Sequence, residues 1–541
     1  MSELTSYHLA DIWEAVADRV GDRVAVHCDG VDLTYRQVEE RSNALAHAFL
    51  DAGVGPGDHV GLYLLNGPAY VETMLACFKI RAVPVNVNYR YVERELDYLF
   101  NDAGIVALVA HRQFAERVAA VRDGVTTLGT VWSVDDDGRP VPDGCKDYEV
   151  VIAAGSTARD FAPRDPSDHY LIYTGGTTGM PKGVIWRHED AFFACVGGGD
   201  PMRLNGPVDS PADILDRIID FDFVAFPLAP MMHAAAQWTS MSWWFCGAKV
   251  VLRPGSFDAA ATWRTIEQQK VSTMIVVGDA MVRPLLDSWD TEGPFDVASM
   301  FAIGSGGAAL TPALKDRLMA TLPNVLVTDG FGSSETGAQG AQRLEAGSES
   351  GGRTRFVPND STAVLDDDLQ PVAAGSGDVG RVALQGRIPL GYHGDPEKTA
   401  ATFVESDGVR WALTGDLATV DDDGSVTLLG RGSQVINTGG EKVYPEEVEA
   451  ALKAHDAVYD VVVVGVPDER FGQRVAAVIS LSEGAGEPTL EQVDEHCRTL
   501  VAGYKVPREL VVVDHVVRSP VGKPDYRWAR TEAMRVLGLT E

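Results

Sequence analysis

The 541-residue chain is too long for one hydrophobic core, and 45% hydrophobic with 23% charged residues excludes a disordered protein. Its 46 basic against 78 acidic residues give a net charge of −32, which repels a phosphate backbone and argues against a nucleic-acid partner; solubility accounts for the acidity. The six cysteines, Cys28, Cys77, Cys145, Cys195, Cys246 and Cys497, form no CxxC pair, so neither a thiolate zinc site nor a disulfide framework is expected, and reduced cytoplasmic thiols fit best.

Near the start, Leu9, Ile12, Trp13 and Val16 recur at helical spacing, without the basic and then apolar order of a signal peptide. No run approaches the roughly 20 apolar residues of a membrane span. Next, "HVGLYLL" (59–65) reads as a strand, "PAYVETMLACFKIR" (68–81) as a helix, "AVPVNV" as a strand, "RYVERELDYLFNDA" as a helix and "IVALVAH" as a strand. This alternation implies a parallel sheet covered by helices, and it returns at "STMIVVG" and "NVLVTDG". After residue 340 the composition becomes turn-rich, with a hairpin signal in "LATVDDDGSVTLLG". A compact set follows: "PEEVEAALKAH" as a helix, "VYDVVVVGV" and "RVAAVISL" as strands, "LEQVDEHCRTL" as a helix and "RELVVVDHV" as a strand. The expected fold is a large α/β N-terminal domain (1–430) with parallel-type sheets layered by helices and internal subdomains, plus a small mobile α+β C-terminal domain (431–541).

One loop stands out for its chemistry. "YTGGTTGMPKGV" (173–184) follows the strand-like "HYLIY" but lacks the Gly-Lys-Ser/Thr ending of the common phosphate loop. Glycines 175, 176 and 179 let backbone N–H groups turn toward an anion, because no Cβ blocks the required backbone angles. Thr174, Thr177 and Thr178 add hydroxyl donors, and Lys182 adds a positive charge. A plain turn is the alternative for a Gly/Thr loop alone; the lysine favours phosphate binding.

"YTGGTTGMPKG" resembles the phosphate loop of the adenylate-forming superfamily, which holds acyl-CoA synthetases, peptide-synthetase adenylation domains and beetle luciferases. Gly175-Gly176 stands where that family commonly has Ser-Gly. The resemblance continues in order along nearly the whole chain. "GSGGAAL" (304–310) resembles the adenine-binding turn, with Gly306, Gly307 and Ala308. "DGFGSSETG" (329–337) resembles the Tyr-Gly-x-Thr-Glu motif and brings Asp329, Gly330, Phe331, Gly332, Ser333 and Ser334 to the nucleotide. Phe331 replaces the usual tyrosine and can still stack on a purine. Ser334 keeps the hydroxyl of the usual threonine, and Glu335 beside it would hold Mg²⁺. "WALTGDLA" (411–418) resembles the ribose-gripping segment through Asp416, and Arg431 resembles the arginine beside the nucleotide. "SPVGKPDYR" (519–527) resembles the motif of the catalytic lysine, here Lys523.

The resemblance implies ATP and CoA as co-substrates and a two-step reaction. Lys523, Glu335, Thr178 and Lys182 would serve formation of an acyl-AMP, and the C-terminal domain would then swing about Ser433, where the family commonly has Asp or Lys. Gly439 and Gly440 would leave room for the pantetheine arm, with Lys442, and more weakly Arg474 and Lys505, near the CoA phosphates. No Asp or Glu occurs from Phe223 to Leu252, which disfavours an amino-acid substrate, since a buried ammonium needs a partner. Met231, Met232 and Trp238 offer adaptable apolar lining, Ala234 to Ala236 leave space, and His233 resembles the gate at the acyl end, near Gly306. A roomy apolar pocket for a medium- or long-chain fatty acid or a bulky ring-bearing acid is expected. The "GGTTGMPKGVIW" variant resembles most the actinobacterial synthetases for fatty or sterol side-chain acids.

Other readings compete. An acyl-AMP ligase loading a carrier protein would share every nucleotide motif, and a luciferase-like oxygenase or a non-catalytic ATP-binding module would share most of them. "GSGGAA" (304–309) also fits a dinucleotide fingerprint with Asp329 about twenty residues on, but a dehydrogenase leaves the 173–184 loop, Asp416 and Lys523 unexplained. A homodimer is compatible with the sequence and not specified by it.

Overall fold

The computed structural model describes residues 4–136, 138–174, 180–345, 348, 355–438, 441–468, 470–519 and 522–539. Gly175, Gly176, Thr177, Thr178, Gly179, Gly439 and Gly440 lie outside the described residues. Among the described residues the strands form sheets of 14, 8 and 5.

The first expected alternation is present. Strands His59–Tyr63, Val83–Asn86 and Ile105–His111 pair in parallel, joined by helices Pro68–Lys79 and Glu93–Asp102. Helix Pro68–Lys79 is buried from Ala69 to Lys79, as its nearly unbroken apolar run requires, and it packs on helix Tyr35–Asp51. That second helix opens on a reciprocal cap between Thr34 and Gln37. The same sheet turns antiparallel where strand His169–Thr174 meets Lys182–Arg187, and strand Gly391–Tyr392 adds to its edge.

The largest sheet carries Val224–Pro227, Thr273–Val276, Ala302–Gly306 and Leu326–Ser333 in parallel, then reverses at the hairpin to Gly337–Leu344. Both large sheets are therefore mixed, where alternation alone implied parallel ones. Short turns make the difference. Three residues join Ser333 to Gly337, too few for a helical crossover, so the next strand must run back.

Chain membership changes sheet between Arg431, the end of strand Val426–Arg431, and Ile436. Beyond it, strands Val458–Asp468 and Gly472–Leu481 are apolar on both faces. Val461, Val463, Val475, Ala477 and Ile479 face helices Pro445–Lys453 and Leu490–Arg498. Their neighbours Val462, Val464, Ala476 and Val478 face Ala529, Ala533 and Met534 of helix Tyr526–Leu537. Among the described residues no helix is long and apolar enough to cross a membrane. All six cysteines are unpaired, and Cys145 alone of them is not buried.

Candidate active site

The phosphate-loop motif sits on the hairpin His169–Thr174/Lys182–Arg187, whose register sets Thr174 opposite Lys182. The strand base is fixed from below. Asn86, itself buried, accepts from the Tyr173 N–H at 2.7 Å and donates to the carbonyls of Tyr173 (2.8 Å) and Met232 (2.7 Å). Lys182 is ion-paired with Asp395, the cap of helix Pro396–Thr402. That contact holds the Asp395 carboxyl below its usual range. Strand Gly391–Tyr392 brings Tyr392 to the same place, and its hydroxyl donates to Glu335 at 2.9 Å. Burial, then the Glu335 carboxylate, raises the Tyr392 phenol above its usual range, so it stays a donor.

Glu335 rides on the turn between strands Leu326–Ser333 and Gly337–Leu344. The turn is stitched by Ser333 N–H to Thr336 Oγ1 (3.0 Å), Glu335 N–H to Ser333 Oγ (3.2 Å) and the Trp186 indole to the Ser334 carbonyl (2.9 Å). Gly332 is required there, because a Cβ would lie 2.0 Å from the Gly337 carbonyl oxygen. Phe331 is half-buried, its ring 4.8 Å from that of Phe356 and against Gly340. Asp329 is buried, with its carboxylate 2.7 Å from Lys315, and burial raises it to about 6. What Asp329 can offer a nucleotide is therefore main chain. Gly306 lies beside Gly330 in the parallel register, and Gly307 adopts φ +83°, a left-handed turn that suits glycine.

Asp416 and Arg431 face each other across an antiparallel pair, with Arg431 Nε 3.2 Å from Asp416 Oδ1. Lys523 reaches this corner from the C-terminal domain. Its loop is closed by Ser519 N–H to the Lys523 carbonyl (2.7 Å) and by Lys523 N–H to Ser519 Oγ (3.1 Å). Protein surrounds the ammonium on most sides although water still reaches the side chain. Burial and then the Arg431 cation lower its pKa, while the Glu335 and Asp416 carboxylates pull it back up. Lys523 and Arg431 thus share this corner with two carboxylates, Glu335 and Asp416.

His233 meets Lys523 from the acyl side. Burial pushes it down to about 3, with Lys523 and Arg90 as the next causes, so the imidazole is neutral, and its buried Nε2 has no hydrogen-bond partner among the described residues. The loop that carries it is held by three buried carboxamides. Asn66 accepts from Met231 N–H at 2.6 Å, Asn86 binds the Met232 carbonyl, and Gln237 donates to the Met231 carbonyl at 2.8 Å. Sequence reasoning missed all three, together with Tyr392 and Asp395, since a lone amide or acid carries no local signal. Met231, Met232 and Trp238 are buried in packed surroundings, and the ring of Trp238 meets Trp186 edge-on at 6.3 Å. A cavity of about 50 Å³ lies beside the loop, lined by Phe226, Leu228, Pro230, Met281, Arg90 and Arg253 among others.

Of the remaining expected residues, Ser433 is exposed in the short turn Gly432–Gln434, and Lys442 is exposed on strand Glu441–Val443. Arg474 is ion-paired with Glu509 (2.9 Å) and Asp468 (3.3 Å), and Lys505 with Glu447 (2.6 Å).

Comparison with known proteins agrees with this arrangement. The family described as AMP-binding enzyme is matched over residues 13–392, and the AMP-binding enzyme C-terminal domain over residues 447–523. A 3-oxocholest-4-en-26-oate–CoA ligase of Rhodococcus rhodochrous is 47% identical over 533 residues, 97% of this chain and 96% of that protein. A medium/long-chain-fatty-acid–CoA/3-oxocholest-4-en-26-oate–CoA ligase of Mycobacterium tuberculosis is 46% identical over 529 residues, 97% of this chain and 96% of that one. Among solved structures, an anthranilate CoA ligase, AuaEII, in complex with anthranoyl-AMP superimposes with a TM-score of 0.85 at 25% identity, over 99% of each chain.

Proposed function

From the premise that the chain belongs to the AMP-binding enzyme family, we infer that it is an ATP-dependent acyl-CoA ligase for an apolar carboxylic acid of the fatty or sterol side-chain kind. The observation that carries this reading is convergence. Lys523 lies within electrostatic reach of Glu335, Asp416 and Arg431, which are scattered over almost two hundred positions, Arg431 is paired with Asp416, and His233 of the acyl stretch feels the same lysine.

In the first step a carboxylate oxygen attacks the α-phosphorus of ATP and pyrophosphate leaves. Charge shifts onto phosphoryl oxygens, so fixed cations and N–H donors carry most of the catalysis. Lys523 would hold the acid's carboxylate against the α-phosphate, and Asp416 would accept from the ribose hydroxyls. Lys182, released from Asp395, would bind the outer phosphates with Thr174 and the threonines of its loop. Glu335 keeps acceptor capacity beyond its bond from Tyr392, which fits a Mg²⁺ held by one carboxylate and phosphate oxygens. When bound, that ion offsets phosphate charge. In the second step the CoA thiol attacks the acyl carbonyl and AMP leaves.

The acid's class rests on two supports. No carboxylate lies in the 223–252 stretch to pair a substrate amine. The relatives at 46–47% identity carry names that specify fatty or sterol side-chain acids. Met231 and Met232, with three rotatable bonds each, would give such a chain an adaptable lining. The neutral His233 suits contact with an apolar acyl group. We further place the protein in the cytoplasm, where CoA and ATP occur and unpaired thiols persist.

The test uses the purified full chain with ATP, MgCl₂ and CoA. Fatty acids of medium to long chain, 3-oxocholest-4-en-26-oate, benzoate and phenylalanine are supplied singly, with AMP and the thioester read by mass. Thioester from the fatty or sterol acids but not from phenylalanine is the expected result. Acid-dependent pyrophosphate without a CoA thioester would transfer the protein to the carrier-loading reading.

A further inference from the structure

Helix Gly278–Glu292 of the N-terminal domain meets the C-terminal domain along one side of its first two turns. Asp279 Oδ2 lies 2.7 Å from Lys453 Nζ, and both side chains are buried, at 6% and 5% exposure. Ala280 abuts Gly522, where a Cβ would come within 2.4 Å of the alanine methyl. Arg283 lies over the Tyr459 ring at 5.0 Å. These contacts hold the domain carrying Lys523 against the domain carrying the nucleotide motifs.

The ion pair has continuations at both ends. On the N-terminal side Asp279 accepts from the Thr311 N–H at 2.8 Å and its own N–H donates to the Ala309 carbonyl at 3.0 Å. Asp279 therefore grips the chain directly after the turn Gly306–Ala308. On the C-terminal side Lys453 lies 3.6 Å from Asp460, and Asp460 takes a two-pronged contact from Arg518 at 2.6 and 2.7 Å. Arg518 then donates to the Gly522 carbonyl at 2.9 Å, one residue before Lys523. We propose that Asp279, Lys453, Asp460 and Arg518 are positioning residues for acyl-adenylate formation, a relay that sets the Gly522–Lys523 loop relative to the adenine-side turn.

The chemistry of the relay favours a reversible hold. A buried charge stripped of its partner is strongly destabilising. Here each partner has a second contact within its own domain: Asp279 keeps Thr311, and Lys453 keeps Asp460. Domain separation leaves neither charge bare, so the contact selects one domain orientation without locking it. The remaining members, Asp460 and Arg518, lie wholly inside the C-terminal domain and travel with Lys523.

This inference rests on the ligase reading above, and the two fail differently. The full chain is assayed with palmitate or 3-oxocholest-4-en-26-oate, whichever the unaltered protein activates; activation of neither counts against the ligase reading. Acid-dependent exchange of pyrophosphate into ATP reports the first half-reaction, and CoA transfer from the synthetic acyl-AMP reports the second. Asp279→Asn preserves shape and leaves Lys453 with Asp460. It is expected to lower exchange on the order of 10²-fold, as a displaced catalytic group does, while transfer stays within about threefold. Lys453→Met is expected to do the same, and the double variant to be no worse than the poorer single one, because both remove one contact. The transfer assay itself reports that each variant is folded, and Asp279→Asn carries the test alone where Lys453→Met is insoluble. Equal loss of both half-reactions, unchanged exchange, or losses that multiply in the double variant would overturn the proposal.

Discussion

Lys523 is useful because it is a cation held among two carboxylates and a second cation. Its burial and the nearby Arg431 weaken its hold on a proton, while Glu335 and Asp416 restore it. Removing such a donor typically forfeits about 3 kcal/mol of transition-state stabilisation, on the order of 10²-fold in rate. Lys523→Ala is therefore expected to collapse acid-dependent pyrophosphate exchange and to leave CoA transfer from preformed acyl-AMP nearly intact; parallel assays check this, and equal losses count against the assigned role. Asp329 shows where reading single residues fell short. Its motif places it at the nucleotide, yet Lys315, fourteen positions earlier on another element, claims its carboxylate. Buried histidines give a second expectation. Burial holds His188 and His233 near 3 and His111 near 4, and also lowers His8 well below the ordinary value, about 6.5 in an unfolded chain. Below that value the unfolded chain binds protons that the native one refuses, so stability falls as pH falls. Asp329 and Glu449, raised to about 6 and 7, oppose this, because they take up protons in the native state first. Over this range the four histidines outnumber the acids that are raised, Asp329, Glu449 and Glu446, and outweigh them. The thermal midpoint should drop between pH 7 and pH 5, and a rise would refute the balance.

At the level of elements, what could be read was what repeats locally. The parallel trio at residues 59–111 follows from alternating apolar runs and amphipathic helices, and strand Val458–Asp468 from a run apolar on both faces. The hairpin in "LATVDDDGSVTLLG" was legible and is the antiparallel pair of Val409–Val420 with Val426–Arg431, but edge additions were not, because they depend on partners far along the chain, as Gly391–Tyr392 does on Val184 and Ile185. Helix Tyr526–Leu537 also escaped, since its buried side needs only Ala529, Ala533 and Met534 among many charged neighbours. The hairpin that carries Glu335 is the element on which chemistry depends most directly. Its turn tolerates no side chain at Gly332, where a Cβ would lie 2.0 Å from a carbonyl oxygen held in the ladder. Gly332→Ala must open the hairpin and move Glu335 from Tyr392. An activity loss on the order of 10²-fold is expected from a shift of about 1 Å, with ATP affinity reduced by the same displacement. Isothermal titration with ATP and the exchange assay check it together; unchanged values would show that Glu335 is placed by Tyr392 alone.

For the whole molecule the described arrangement sets Lys523 near Glu335, Asp416 and Arg431, and on the proposed two-step reading the second half-reaction would require that it leave. Between strands Val426–Arg431 and Ile436–Thr438 the chain passes from one sheet to another through Gly432–Gln434. Ser433 in that turn is exposed and forms one long side-chain contact, with Gln434 at 3.5 Å. Gly432 beside it is exposed, and a Cβ there would meet only ordinary contacts, the nearest being Leu417 at 3.6 Å. Little there resists a change of backbone angles, in contrast to the buried Asp279–Lys453 contact that favours the present orientation. The sequence marked the segment by its small polar residues, but which faces the two domains would join could not be read, because the interface pairs residue 279 with 453 and 280 with 522. Proline at 433 would fix one backbone angle near −65°, a value that the present 3-10 turn Gly432–Gln434 accommodates, and so restrict its change. Ser433→Pro is thus expected to spare adenylation, for which the present orientation suffices, and to slow CoA transfer by about tenfold or more. Acyl-AMP should then accumulate on the enzyme in a single turnover, visible by quenching and mass analysis. Loss of adenylation with transfer intact would reverse the assignment of this orientation to the first step.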